Sequence, residues 1–313
     1  MKSWRAASLR NEPGRCRARA AEGVSTSSGG VGYQSGVGLV DAVVLAAVQG
    51  AAEALPISAT GHGAAARLWL GADRGALALE GALHLATAAA LAIAARHRLS
   101  AAVGEGIRAI ALPALFRTSP AAWDAALLLA GSAASLLVGA ALRPYVEAWA
   151  SAPFAVGLGL LGTGAALAST ALAPGPSSEG RAGPQARAEA PSLAGVVLAG
   201  VAQGLAVAPG ASRVGAALVA LLWLGVRPGR AVELAFLISV PGLIAAGLRG
   251  VGALGQAGAD FAVAGFLIAF LSASLGAAAL RALVERRLTG ALALWVVPLG
   301  LATLAYARAL PGA

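Results

Sequence analysis

Cysteine is almost missing: among 313 residues there is one, Cys16, in a polar N-terminal stretch. A single thiol makes no intrachain disulfide, and no Cys/His cluster offers a zinc site, so disulfide, redox and zinc chemistry are set aside. Charge is scarce too. Asp, Glu, Lys and Arg make up 12% of the chain, about half the roughly 25% of a soluble domain. Aromatics are few, at 5%, while hydrophobic residues reach 58%. The apolar mass is therefore Ala, Leu, Val and Gly, small residues that let helices approach closely in lipid. This is the composition of a helical membrane protein.

The net charge is +9, and much of it is local. Residues 1–36 carry Lys2, Arg5, Arg10, Arg15, Arg17 and Arg19 against Glu12 and Glu22. The stretch has no apolar run long enough for a signal-peptide core, and its Arg, Ser and Gly content reads as a basic disordered tail. Because it adjoins apolar spans, anionic lipid headgroups are its expected contact, not nucleic acid.

A spanning helix needs about 20 apolar residues. Candidates run over 77–95, 121–142, 150–173, 211–225 (short), 229–248, 261–280 and 291–310, with a weaker one at 101–116. Arginines mark the gaps, as the cost of burying an ion predicts. Arg96, His97 and Arg98 read as a solvated loop. Residues 174–191, PGPSSEGRAGPQARAEAP, cannot span and read as an exposed linker. The chain thus divides into a tail (1–36), a first membrane half (37–173), the linker (174–191) and a second half (192–313).

The halves resemble each other. Val43–Ser58 reads VVLAAVQGAAEALPIS and Val196–Ser212 reads VVLAGVAQGLAVAPGAS, each with a Gln-Gly pair, a proline break and a serine. Short, Gly/Pro-interrupted segments at matching positions are the mark of inverted repeats around a mid-membrane site. The expected fold is all-α: a polytopic membrane bundle with two inverted repeats, each containing a re-entrant broken helix whose freed backbone groups are buried in protein.

Two constellations carry chemistry. In the first, Gln49 and Glu53 share a helix face four residues apart; Pro56 ends that helix, and Ser58, Thr60 and His62 follow in the turn. A carboxylate, hydroxyls and an imidazole in an apolar stretch are costly and read as functional. The bland alternative is that the hydroxyls cap the next helix and a carbonyl satisfies His62. In the second, Pro209-Gly210-Ala211-Ser212-Arg213 is a turn followed by a helix start, whose open N–H groups suit a phosphate, with Arg213 adding a planar fork. Arginine snorkelling is the alternative there. Glu80 and His84, also four apart, either pair with each other or line a cavity.

The stretches EALPISATGH (53–62), LHLAT (83–87), APGASRVG (208–215) and ELAFLISVPG (233–242) together resemble the signature regions of the undecaprenyl-diphosphatases associated with bacitracin resistance. The resemblance covers about residues 40–310. It implies an inner-membrane, multi-pass enzyme that hydrolyses undecaprenyl diphosphate to undecaprenyl phosphate and inorganic phosphate with a divalent cation, Mg²⁺ or Ca²⁺. Its partners would be the polyprenyl diphosphate and bilayer lipids, with a homodimer left open. Gln49 and Glu53 fall on the motif around metal and diphosphate, His62 on the acid/base histidine, and Gly210, Ser212 and Arg213 on the phosphate-binding element.

Three positions depart from that pattern. Ala59 replaces the serine favoured as nucleophile, Val214 the serine after the motif arginine, and Ala217 a threonine. Without a hydroxyl at 59, attack falls to Ser58, Thr60, His62 or a metal-activated water. Otherwise the chain is a non-hydrolytic polyprenyl-phosphate transporter or lipid-diphosphate binder. An acid-phosphatase-type lipid phosphatase is excluded, because residues 214–232 contain neither the histidine nor the aspartate it needs.

Overall fold

The computed structural model describes residues 39–70, 79–150, 152–173, 191–253 and 259–309. The basic tail, Cys16 and the linker expected at 174–191, except Pro191, lie outside the described residues. Every regular element among the described residues is helical. In chain order the helices are α1 (Leu39–Ala54), α2 (Ala59–Leu70), α3 (Glu80–Ala94), α4 (Arg96–Ala111), α5 (Leu115–Thr118), α6 (Pro120–Glu147), α7 (Pro153–Ser169), α8 (Leu193–Leu205), α9 (Arg213–Trp223), α10 (Pro228–Gly250), α11 (Ala259–Glu285) and α12 (Ala293–Ala309).

Five segments are long and apolar enough to cross a membrane: Pro120–Glu147, Pro153–Leu172, Pro228–Gly250, Asp260–Glu285 and Thr289–Ala309. They fall on five of the expected spans, and the protein is a multi-pass membrane protein. Their ends follow from local chemistry. Proline, whose missing N–H costs nothing at the first helical position, opens α6, α7 and α10. Serine side chains cap the starts of α6, α8 and α9 by accepting backbone N–H groups.

Three expected spans are not among the five: 77–95 and 211–225, where α3 and α9 are shorter apolar helices, and 101–116. α4 is 16 residues long, exposes Val103, Ile107 and Ile110 on one side, and carries an exposed Glu105–Arg108 ion pair. Such an amphipathic helix suits a position along the bilayer surface. Nor do Arg96, His97 and Arg98 form a loop. They make the first turn of α4, and Arg98 reaches Asp124 on α6 and Glu233 on α10, each at 2.7 Å.

Helix pairs close on glycine. A Cβ at Gly200 of α8 would sit 2.2 Å from the Gly131 carbonyl of α6, and one at Gly50 of α1 would sit 2.2 Å from the Ala269 carbonyl of α11. α3 meets α10 in the same way at Gly81 and Gly250. Without a hydrophobic drive between helices in lipid, such close van der Waals approach holds the bundle together. The short helix α9 runs through the interior, with Val214, Ala217, Leu218 and Leu221 fully buried against Leu234, Phe236 and Ile238 of α10.

Candidate active site

Two interrupted helices place the candidate residues. α1 ends at Ala54, and the chain turns through Pro56 to Ser58, whose φ of +77° is unusual for a residue with a side chain. α8 ends at Leu205, turns through Pro209 to Gly210, with φ of +78°, and restarts as α9 at Arg213. Glycine adopts this conformation freely, whereas a serine held there persists only where its surroundings fix it, and the two breaks are bonded to each other. The Gly210 N–H donates to Thr60 Oγ1 at 3.2 Å, while Thr163 of α7 donates to the Gly210 carbonyl and accepts from the Ser212 N–H.

α7 leaves no room at this junction. A Cβ at Gly159 would lie 1.9 Å from the Pro209 carbonyl, and one at Gly210 would lie 2.1 Å from the Val156 carbonyl. Gly210→Ala therefore adds a clash to a backbone strain of about 1–3 kcal/mol. It is expected to lower the melting temperature in detergent clearly, and an unchanged melting curve would show that the junction yields freely.

The breaks bring opposite charges together. Nη2 of Arg213 lies 3.1 Å from both carboxylate oxygens of Glu53. Glu53 is 6% exposed, so this carboxylate would be costly to bury unpaired. Gln49 donates its amide Nε2 to Glu53 at 3.5 Å, and its carbonyl oxygen has no partner among the described residues. The pair opens onto a cavity of about 370 Å³ that is also lined by Ala59, Thr60, His84 and Ser212. Cavities of roughly 300–1,000 Å³ hold small ligands.

Other predicted residues stand differently. Ser58 is buried and does not line the cavity; its hydroxyl accepts the Gly61 N–H at 3.1 Å, the capping role considered as the bland alternative. His62 also lies off the cavity lining. Its Nδ1 meets the Ser58 carbonyl at 2.9 Å, and its Nε2 meets the indole Nε1 of Trp295 at 2.7 Å. Since a carbonyl only accepts and an indole only donates, the proton is on Nδ1 and Nε2 is the basic atom. Gly210 and Ser212 use their N–H groups on Thr60 and Thr163, so neither donates to the cavity in this arrangement. Thr60, Ser212, Glu53 and Arg213 are the predicted residues that share it.

Four further titratable side chains line the cavity, and sequence spacing marked only two of them. His84, weighed with Glu80, does line it; its Nδ1 is held by the Glu80 carbonyl at 2.7 Å, while the Glu80 carboxylate pairs with Arg67 at 3.2 Å. The signal for both was their four-residue spacing. Arg143 and Arg249 also line it and looked like ordinary span-end arginines.

Among the described residues no group of three His, Cys, Asp or Glu gathers to hold a metal ion. The donor set is one carboxylate, Glu53, beside one amide oxygen, Gln49. That set fits a hard cation of the Mg²⁺ kind, which takes one or two carboxylates and completes its shell with substrate phosphates and water.

The sequence matches the bacitracin resistance protein BacA family over residues 42–302. It is 34% identical to an undecaprenyl-diphosphatase of Rubrobacter xylanophilus over 216 residues, covering 68% of this chain and 76% of that protein. It is 31% identical to one from Desulforapulum autotrophicum, over 79% of this chain and 89% of the relative. A third, from Geobacter sulfurreducens, is 30% identical, over 79% of this chain and 90% of the relative.

Proposed function

Because the chain belongs to the bacitracin resistance protein BacA family, we propose that it is a membrane hydrolase that cleaves undecaprenyl diphosphate to undecaprenyl phosphate and inorganic phosphate, returning the lipid carrier to cell-wall synthesis. The observation that carries this reading is the Glu53–Arg213 pair, made between two broken helices at the wall of one cavity. The inner membrane is its expected location. The transporter alternative gains nothing from the named relatives, all of them diphosphatases.

In this reading the two halves, 37–173 and 192–313, are inverted repeats, and α1–α2 and α8–α9 are their re-entrant segments. The support is that each stops near a proline, passes through a positive φ and restarts as a short helix. Neither α1, at 16 residues, nor α8, at 13, is long enough to cross alone.

Catalysis of phosphoryl transfer is mainly positioning and stabilisation of charge on the equatorial oxygens. Arg213 leaves Glu53 in part to hold a phosphate. The first turn of α9 adds the backbone N–H of Arg213, since Ser212 takes that of Gly215. Glu53 and the carbonyl of Gln49 would hold a Mg²⁺ or Ca²⁺ ion, which when bound adds positive charge to the phosphates. Thr60 is the hydroxyl of the first break that faces the cavity, and it positions the attacking water. His62 carries the proton at Nε2 once Trp295 gives way; the Ser58 carbonyl fixes the tautomer that this requires.

Purified protein with a short-chain prenyl diphosphate and Mg²⁺ is expected to release phosphate. No release with any divalent ion would sink the reading. Ala59→Ser is the companion test. Ala59 lines the cavity beside Glu53, so a hydroxyl placed there enters the site directly. The variant is expected to turn over faster by about tenfold or more, in line with covalent or acid–base assistance. A rate equal to the parent's would mean that the water route already suffices.

A further inference from the structure

Building on the diphosphatase reading, we propose that Arg249 and Arg143 form a second phosphate-binding position at the open side of the cavity, so that one phosphate of the substrate sits at Arg213 and the other at this pair. Three guanidinium groups line the cavity (Arg143, Arg213 and Arg249) against two carboxylates, Glu53 and Glu80. Both carboxylates are engaged, Glu53 by Arg213 and Glu80 by Arg67. Arg143 uses its Nε on Glu147, which leaves its terminal nitrogens for another acceptor. Arg249 makes no hydrogen bond or ion pair with any described residue, and the charges that reach it are Arg143, Arg213 and Glu147. Glu53 and Glu147 each pair with one of the three guanidinium groups, so the wall keeps a net positive charge that an anion would offset, and guanidinium forks match phosphate oxygens in pairs.

Depth supports the assignment. Asp124 and Arg143 stand 19 residues apart on α6, and Arg230 and Arg249 are equally far apart on α10. At about 1.5 Å per residue each separation is roughly 28 Å, one hydrocarbon thickness. With the Asp124 and Arg230 ends at one face of the hydrocarbon layer, Arg143 and Arg249 fall at headgroup level on the other, where the diphosphate of a lipid whose tail is in the bilayer has to enter. The Arg143 side chain is 42% exposed and Glu53 is 6% exposed, which places the arginines at the mouth and the carboxylate inside. An arginine that merely snorkelled would point to the interface; these two line the cavity that Glu53 and Arg213 share.

The test is titration of the full-length protein in neutral detergent, at one fixed Mg²⁺ concentration, with inorganic pyrophosphate and with orthophosphate. The parent is expected to bind pyrophosphate more tightly. Arg249→Gln should weaken pyrophosphate by about tenfold or more while changing orthophosphate by less than about twofold, and Arg249→Lys should recover part of the loss. Arg143→Gln should show the same selective loss and carries the test if the first variant does not fold. Unchanged pyrophosphate affinity in both variants, or equal loss of both anions, overturns the proposal. In bilayer discs, turnover by Arg249→Gln is expected to fall in neutral and anionic lipid alike. A fall confined to anionic lipid would assign the arginines to bulk headgroups and overturn it too. A parent that releases phosphate from the prenyl substrate yet binds both anions equally defeats the second position alone; a parent that neither binds anions nor releases phosphate defeats the diphosphatase reading itself.

Discussion

Arg213→Ala is expected to lower phosphate release by about three orders of magnitude, the lower end of what one arginine contributes in phosphoryl transfer. The side chain is held at the cavity wall by a carboxylate that touches one of its nitrogens from both oxygens, 3.1 Å away. It is therefore held at the cavity wall before substrate arrives, and it need only shift part-way from Glu53 to meet the charge that develops on the phosphate. Removing it also leaves Glu53 buried without its cation, so part of any loss could come from local rearrangement. The double variant Glu53→Gln/Arg213→Ala exposes the second cause through stability: it relieves the unpaired charge and should melt closer to the parent than the single variant does. Arg213→Lys keeps the charge but not the fork, and should recover only a small part of the rate. Turnover unchanged in Arg213→Ala, with the protein folded in detergent, would remove this residue from the site.

What was legible in the sequence was whatever is encoded locally. Pro120, Pro153 and Pro228 announce the starts of three spans, and Ser212 announces the start of α9, because a cap needs only its own first turn. The juxtaposition of Glu53 and Arg213, 160 residues apart, came from the repeated Gln-Gly-to-Pro pattern rather than from either residue alone. Long-range neighbours without such a pattern could not be read. His62 meets Trp295, 233 residues away, and nothing near either residue signals the other. Arg249 looks like any cation at a span end until α10 is placed beside the cavity. Arg98 misled because Arg96 and His97 flank it: local charge density reads as solvent exposure. A better clue lay elsewhere, in Asp124 and Glu233, the lone acids of the expected spans 121–142 and 229–248, since a buried acid implies a partner.

That partner network sits at the end of α6 and α10 opposite to Arg143 and Arg249, and it leads to the largest stability effect expected here. Asp124 is 5% exposed and bonds Arg230, itself 6% exposed, as well as Arg98 at 2.7 Å. Glu233 joins in, at 2.7 Å from Arg98, 3.9 Å from Arg230 and 3.8 Å from Arg281. Four helices, α4, α6, α10 and α11, are tied through these five side chains. Asp124→Ala removes the carboxylate shared by two arginines and leaves Glu233 with three cations to serve. Breaking a buried pair from one side costs about 3–5 kcal/mol, so the variant should melt well below the parent in detergent. Asp124→Asn, which still accepts a hydrogen bond, should lose less. Because Asp124 lies roughly 28 Å along α6 from Arg143, phosphate release per folded molecule should stay near the parental value below the new melting point. A fall in that specific rate, with stability unchanged, would mean that the network serves the reaction and not the bundle.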